Sequence, residues 1–142
     1  MSNEIYNLFV YGSLRSGFRN PIYEYLTKYF HLLGEAVVKG KLHDMGNYPV
    51  AISTHQDKFI SGELYAVNNP LEFSWAIGQL DDYEGLNVEE GEKPLFKREE
   101  VIVYINSQPV VAWIYWFNGE ITGQPEIESG DLLHYLQQKN KP

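Results

Sequence analysis

The sequence predicts an α+β fold, a small mixed β-barrel flanked by helices. Three observations carry that prediction. Stretches with strand character outnumber helical ones, the two kinds do not alternate regularly, and Gly40 and Gly62 fall inside strand patterns where a sheet can bend. Regular strand–helix alternation would instead indicate a doubly wound parallel sheet.

Residues 6–11 are nearly all apolar or aromatic, as a strand buried on both faces should be, and run into the turn signal Gly12-Ser13. Pro21 suits the first turn of a helix on which Ile22, Tyr25, Leu26 and Tyr29 recur at helical spacing. Residues 34–42 read as a second strand, with Ala36, Val38, Gly40 and Leu42 on one face, and residues 49–53 as a short one. Phe59–Val67 sets Phe59, Ser61, Glu63 and Tyr65 against Ile60, Gly62, Leu64 and Ala66. Asn69, Pro70 and Glu72 supply the N-cap, first helical residue and capping-box partner of the next helix, which stops at Gly85. After an acidic loop, Phe96–Ile105 and residues 110–117 form a hairpin turning through Asn106-Ser107-Gln108-Pro109. Residues 129–138, opened by a cap-like Ser129 and carrying Leu132, Leu133 and Leu136, make a short closing helix. No repeat, low-complexity tract or linker interrupts the chain, so residues 1–142 are expected to form one domain.

Composition narrows the function. The chain is 44% apolar and 21% charged, ordinary for a globular protein. Its eleven tyrosines suit a β-rich interior or a ring-lined pocket with polar tips. Absence of cysteine excludes a disulfide framework and a thiolate zinc site. His31, His43, His55 and His134 have no metal-ligand spacing and no acidic run matches an EF-hand loop, so no metal or other cofactor is expected. A net charge of −8, concentrated at residues 81–92 with no basic stripe, argues against nucleic acid and anionic lipid as partners. Residues 110–117, the longest strongly apolar run, fall far short of the roughly 20 that a membrane helix needs. The first four residues lack signal-peptide features, and a cytoplasmic location is expected.

Glu84 carries the sharpest chemical signal. Phe73, Ala76, Ile77, Leu80 and Tyr83 form one stripe of the helix. With Phe73 as zero on the helical wheel, Ile77 lies at about +40°, Leu80 at about −20° and Glu84 at about +20°. Asp82 points the opposite way, and Asp81 lies at the margin, at about 80°. Trp75 and Leu71 lie off the stripe. A carboxylate on an apolar stripe is paired, neutral or placed there for chemistry. At a helix end it can also bend to water, although an acidic residue there opposes the dipole by about 0.3–1 kcal/mol.

The second signal is Tyr11-Gly12-Ser13-Leu14, a strand end turning sharply through glycine. Successive N–H groups in such a turn form a concave anion site, and glycine lets a ligand approach the backbone. Ser13 is a poor candidate nucleophile, because its surroundings are not G-x-S-x-G and no histidine is patterned to activate it.

Five short stretches then occur in order: Phe9-Val10-Tyr11-Gly12-Ser13-Leu14-Arg15, Gly40-Lys41-Leu42 with Gly46-Asn47-Tyr48-Pro49, Gly62-Glu63-Leu64-Tyr65, Leu80-Asp81-Asp82-Tyr83-Glu84-Gly85 and Phe96-Lys97-Arg98. Together they resemble the γ-glutamylcyclotransferase-like family, in its short single-domain bacterial and γ-glutamylamine branch. The resemblance implies a small mixed β-barrel flanked by helices. It implies a cyclotransferase that converts a small γ-glutamyl amine or amino acid into 5-oxoproline and free amine. It further implies Glu84 as catalytic acid/base and Tyr11, Gly12, Ser13 and Leu14 as the turn that holds the glutamyl group. One position departs from the family pattern, which often has tyrosine where this chain has Phe96. Two other readings stay open at this level: a non-catalytic pocket for a small acidic metabolite, and an amide hydrolase in which Glu84 activates water.

Overall fold

In the computed structural model, which describes residues 5–12, 21–46, 49–86 and 91–139, the apolar alternation of the strands is divided between two layers. The elements are β1 (Asn7–Val10), α1 (Pro21–Tyr29), β2 (Phe30–Lys39), β3 (Lys41–Asp44), β4 (Pro49–Ile52), β5 (Phe59–Val67), α2 (Phe73–Tyr83), β6 (Phe96–Ile105), β7 (Gln108–Phe117), β8 (Glu126–Ile127) and α3 (Leu132–Lys139). Strands β1-β5-β2-β6-β7 close a barrel, and β4-β3-β8 form a second, three-stranded sheet. The barrel is mixed because β1 runs parallel to β7, at Leu8↔Trp113, while its other described pairings are antiparallel. The expected α+β barrel flanked by helices is what the chain forms.

Alternate residues of β1 serve the two layers. Phe9 and Tyr11 join Ala36, Val38, Ile60, Leu64, Val103, Ala112, Ile114 and Trp116 in the barrel core, whereas Leu8 and Val10 join Tyr65, Val67 and Tyr115 beneath the helices. Leu42, Ala51, Ile127 and Leu132 add to the barrel core, so the small sheet and α3 pack against it. Helix α2 buries Phe73, Ala76, Ile77 and Leu80 on the second layer. The three larger side chains contribute about 1.5–3 kcal/mol each by burial. That stripe is what presses the last turn of α2 against the sheet.

Several boundaries differ from expectation, each for a local reason. The strand expected over residues 34–42 begins at Phe30, directly after α1, and breaks at Gly40, where the chain leaves the barrel for the small sheet. A Cβ on Gly40 would lie 2.8 Å from Ile60 Cδ1 and 3.0 Å from the Ile52 oxygen. Gly62 pairs in register with Ala36, and the register shift of this strand pair falls between Leu32 and Gly34. Its smallness serves close approach, since a Cβ would overlap the Val10 carbonyl oxygen. Asn69 caps as expected, accepting from Leu71 N–H at 3.0 Å. The next residues form a 3-10 turn (Pro70–Glu72), and Glu72 makes no side-chain capping hydrogen bond. Leu71 and Trp75 are exposed, so the back of α2 faces solvent. Tyr83, expected on the buried stripe, is exposed as well, because it lies at the edge of the stripe, at about −80° from Phe73. The β6–β7 turn is Asn106-Ser107 alone, both with positive φ (51° and 63°), the type I′ geometry that fits strand twist. Helix α3 starts only at Leu132, because Asp131 caps it by accepting from His134 N–H at 3.2 Å.

Candidate functional site

Helix α2 ends because Gly85 adopts φ 76°, a conformation that side chains disfavour. Leu86 N–H reaches back to the Asp81 carbonyl (3.0 Å) and Gly85 N–H to that of Asp82 (3.1 Å), the two bonds of a Schellman motif. Leu86 packs on the cluster that contains Leu80, supplying the apolar contact that accompanies such a stop. Glu84 N–H bonds the Leu80 carbonyl at 2.9 Å, so the backbone on both sides of this residue is fixed.

The side chain of Asp81 is held just as firmly. Arg98 Nε donates to its Oδ1 at 2.8 Å and Nη2 to its Oδ2 at 3.1 Å, while the Tyr115 hydroxyl donates to Oδ1 at 2.7 Å. Arg98 and Tyr115 are cross-strand partners in the β6–β7 register, so both reach Asp81 from one place on the hairpin. The Arg98 guanidinium also lies over the Trp113 ring, 4.4 Å from its centroid. Charge-assisted hydrogen bonds of this kind contribute about 1.5–3 kcal/mol each. The network continues inward: the buried Tyr11 hydroxyl donates to the Tyr115 carbonyl at 2.7 Å.

Glu84 is half-buried beside this network. Burial, and secondly the negative charge of Asp81, push its carboxyl up to about 7. The Tyr11 hydroxyl is pushed up by burial and then by the Glu84 charge, with the Ala51 backbone acting the other way. Burial raises the Tyr115 hydroxyl most, followed by Asp81 and, more weakly, Glu84. The charge of Glu84, just past α2, therefore reaches the hydroxyl of Tyr11, just past β1, although the two are distant in sequence. A carboxyl poised near neutrality can accept a proton from an amine and return it to a leaving group.

Tyr11 and Gly12 stand at the end of β1, and Glu84 at the end of α2. Ser13 and Leu14 lie outside the described residues. Among the described residues, a Cβ on Gly12 would meet only Pro49 Cγ, at 3.6 Å, and the residue is not in the left-handed region. Gly12 is thus compatible with close approach of a ligand, but strain does not explain it. Phe96 packs edge-on against Phe117, with centroids 5.7 Å apart. Among the described residues no group of three His, Asp or Glu side chains could hold a metal ion, and no helix is long and apolar enough to cross a membrane. The open groove of about 1100 Å³ between β2 and β6, lined by Lys39, Glu100 and Ile102, contains none of the candidate residues.

Sequence reasoning missed the roles of Asp81, Arg98 and Tyr115. The available signal was the spacing of Asp81 one turn before Glu84 on the margin of the stripe, with Arg98 in a neighbouring motif.

The sequence profile of the family described as gamma-glutamyl cyclotransferase, AIG2-like, matches residues 8–134. The chain belongs to that family. Among its relatives is the gamma-L-glutamyl-butirosin B gamma-glutamyl cyclotransferase of Niallia circulans, 34% identical over 113 residues, covering 79% of this chain and 67% of that one. The crystal structure of YkqA from Bacillus subtilis superposes with a TM-score of 0.68 at 26% identity, covering 97% of this chain but only 44% of YkqA. An AIG2-like protein of Mus musculus shares the fold at 19% identity, with a TM-score of 0.66 and coverage of 91% and 90%. Membership of the gamma-glutamyl cyclotransferase, AIG2-like family makes the chain a cyclotransferase-type enzyme without specifying its substrate.

Proposed function

We propose that the chain converts a γ-glutamyl amine or γ-glutamyl amino acid into 5-oxoproline and free amine, with Glu84 as general base and then general acid. The substrate carries its own nucleophile. Its α-ammonium, with an ordinary pKa of about 8, gives a proton to the Glu84 carboxylate. The freed nitrogen attacks the γ-carbonyl carbon and closes a five-membered ring. As the tetrahedral intermediate collapses, the bond from the γ-carbon to the departing nitrogen breaks and Glu84 returns its proton to that nitrogen. The carboxylate so regenerated takes the second proton of the ring nitrogen, giving the neutral lactam, and passes it to the released amine, which leaves as its ammonium. Atoms balance without water, metal or redox partner.

The observation that carries this reading is the half-buried Glu84, with its carboxyl pushed up to about 7, beside the buried Tyr11 at the root of the Gly12 turn. A base near neutrality is matched to an amine proton at physiological pH. Backbone N–H groups of the turn formed by Tyr11, Gly12, Ser13 and Leu14 would hold the glutamyl moiety and steady the oxyanion. The Niallia circulans relative, named for γ-L-glutamyl-butirosin B, supports a γ-glutamyl amide as the substrate class. Incubation with γ-glutamyl amines, γ-glutamyl amino acids and glutathione, read by mass spectrometry, tests the proposal. Release of 5-oxoproline is expected. Free glutamate would indicate hydrolysis, and unchanged ligand a binding protein.

A further inference from the structure

Among the described residues, Asp81 is the side chain most tightly held beside Glu84, and the reaction proposed above gives it no chemical task. We infer that Asp81 is a positioning residue for Glu84: gripped by the facing pair Arg98 and Tyr115, it anchors the last turn of α2 to the β6–β7 hairpin, and through the Tyr115 carbonyl to Tyr11. The inference rests on Glu84 being the acid/base.

The geometry makes Asp81 a two-sided anchor. Its carboxylate takes three hydrogen bonds from the hairpin, at 2.8, 3.1 and 2.7 Å. Its carbonyl takes Leu86 N–H at 3.0 Å, closing the loop of chain that contains Glu84. Asp81 thereby ties the turn that carries Glu84 to the hairpin, adding a polar anchor to the apolar stripe of α2 that presses this turn on the sheet. The Arg98 donors that reach Asp81 are two of its fork, and its face is stacked on Trp113, so the arginine is committed to this anchor rather than to a substrate carboxylate.

The anchor also places a negative charge next to Glu84, and that charge is partly neutralised by Arg98. Among the described residues, the groups around Glu84 are Asp81 and the exposed Asp82 and Tyr83 on the same turn, Arg98 on β6, Tyr115 on β7 and Tyr11 just past β1. Removing Asp81's charge and removing Arg98's must move the Glu84 titration in opposite directions. That shift reports the charges; the positioning role adds a fall in kcat at nearly unchanged KM, which a merely structural ion pair does not produce.

The test is a carbon NMR titration of protein labelled at glutamate, with the Glu84 signal assigned by its loss in Glu84→Gln, alongside kcat and KM. Asp81→Asn is expected to lower the Glu84 midpoint by about half a unit or more. It should also reduce kcat on the order of tenfold while KM changes little, since misplacing a catalytic group acts on the chemical step. Arg98→Gln is expected to raise the midpoint. Tyr115→Phe keeps the ring, removes one clamp donor and should shift the midpoint in the same direction as Arg98→Gln. A wild-type kcat for Asp81→Asn, midpoints that stay at the wild-type value in all three variants, or midpoints that move the same way for Asp81→Asn and Arg98→Gln, overturn the inference. A Glu84→Gln enzyme with wild-type turnover would instead overturn the role of Glu84, and with it this positioning role, whatever the midpoints do.

Discussion

Tyr11 and Tyr115 are coupled in one direction: the Tyr11 hydroxyl closes on the Tyr115 carbonyl at 2.7 Å, while the Tyr115 hydroxyl turns outward to Asp81, also at 2.7 Å. Tyr115 therefore stands between the barrel core and the helix layer, with its backbone read from inside and its side chain from outside. Tyr11→Phe removes the inner bond, together with the contact of the same hydroxyl with the Ala51 backbone. It should cost about 1 kcal/mol, a drop of a few degrees in Tm by thermal unfolding. Turnover should fall by more than stability explains, because the root of the turn is then free to shift against Glu84.

Glu84→Gln should fold and bind ligand yet lose turnover by at least about 100-fold, the scale of general acid–base catalysis. Asp82→Asn is the matched control. Asp82 is exposed on the opposite side of the helix and should be nearly silent in the same 5-oxoproline assay. A Glu84→Gln enzyme that turned over normally would remove Glu84 from the mechanism.

Activity and stability should respond to pH in opposite senses. The folded chain holds the Glu84 proton to about 7, against an ordinary value of 4.5. Between those values the folded state binds more protons than the unfolded one. The stability from this group is therefore complete below its unfolded value and is lost as pH rises through its folded value. The loss is at most about 3 kcal/mol. The base form needed to accept the amine proton appears over the same rise, so kcat should climb through about pH 7. Thermal melts should show Glu84→Gln gaining on the wild type between pH 5 and pH 8, by up to several degrees.

Gly85→Ala should show how far the site depends on the helix stop. At φ 76° a side chain is disfavoured by roughly 1–2 kcal/mol, although no described residue lies within 4 Å of the added carbon. The strain is borne by the residue next to Glu84. A lower Tm together with a reduced kcat is expected, and an unchanged kcat at full occupancy of the fold would separate the helix stop from catalysis.

The parts of this site that could be read from sequence were the local ones. The stop at Gly85 and the stripe through Phe73, Ile77 and Leu80 follow from residue type and helical period, and with them the placement of Glu84. Phe59–Val67 and Phe96–Ile105 were readable from strand character alone, down to their ends. The clamp on Asp81 was not, because it depends on Arg98 facing Tyr115 across a hairpin, and register is a property of two strands. The break at Gly40 has the same origin: alternation runs unbroken from Ala36 to Leu42, and only tertiary packing divides it between two sheets. Strand β8 is two residues long, too short to carry a period. The tight turn at Asn106-Ser107 was read as four residues because serine rarely takes the positive φ it shows there.

The last prediction concerns the turn after β1, where backbone and side chain make different demands. If the turn works through its N–H groups, Gly12 must stay bare so that ligand can approach, and Ser13 contributes its amide rather than its hydroxyl. Ser13→Ala keeps that amide and should lose little turnover. Gly12→Ala adds a carbon that, among the described residues, meets only Pro49 Cγ, at an ordinary 3.6 Å, on a backbone outside the left-handed region. It should therefore fold with a Tm close to wild type. Its effect should appear instead as a raised KM, and Gly12→Val should extend this to a loss of activity by blocking the approach altogether. Paired melts and kinetics separate the cases. If Ser13→Ala abolished turnover while Gly12→Val was tolerated, the serine hydroxyl would be chemically engaged, and a hydrolase releasing free glutamate would become the better reading of the site.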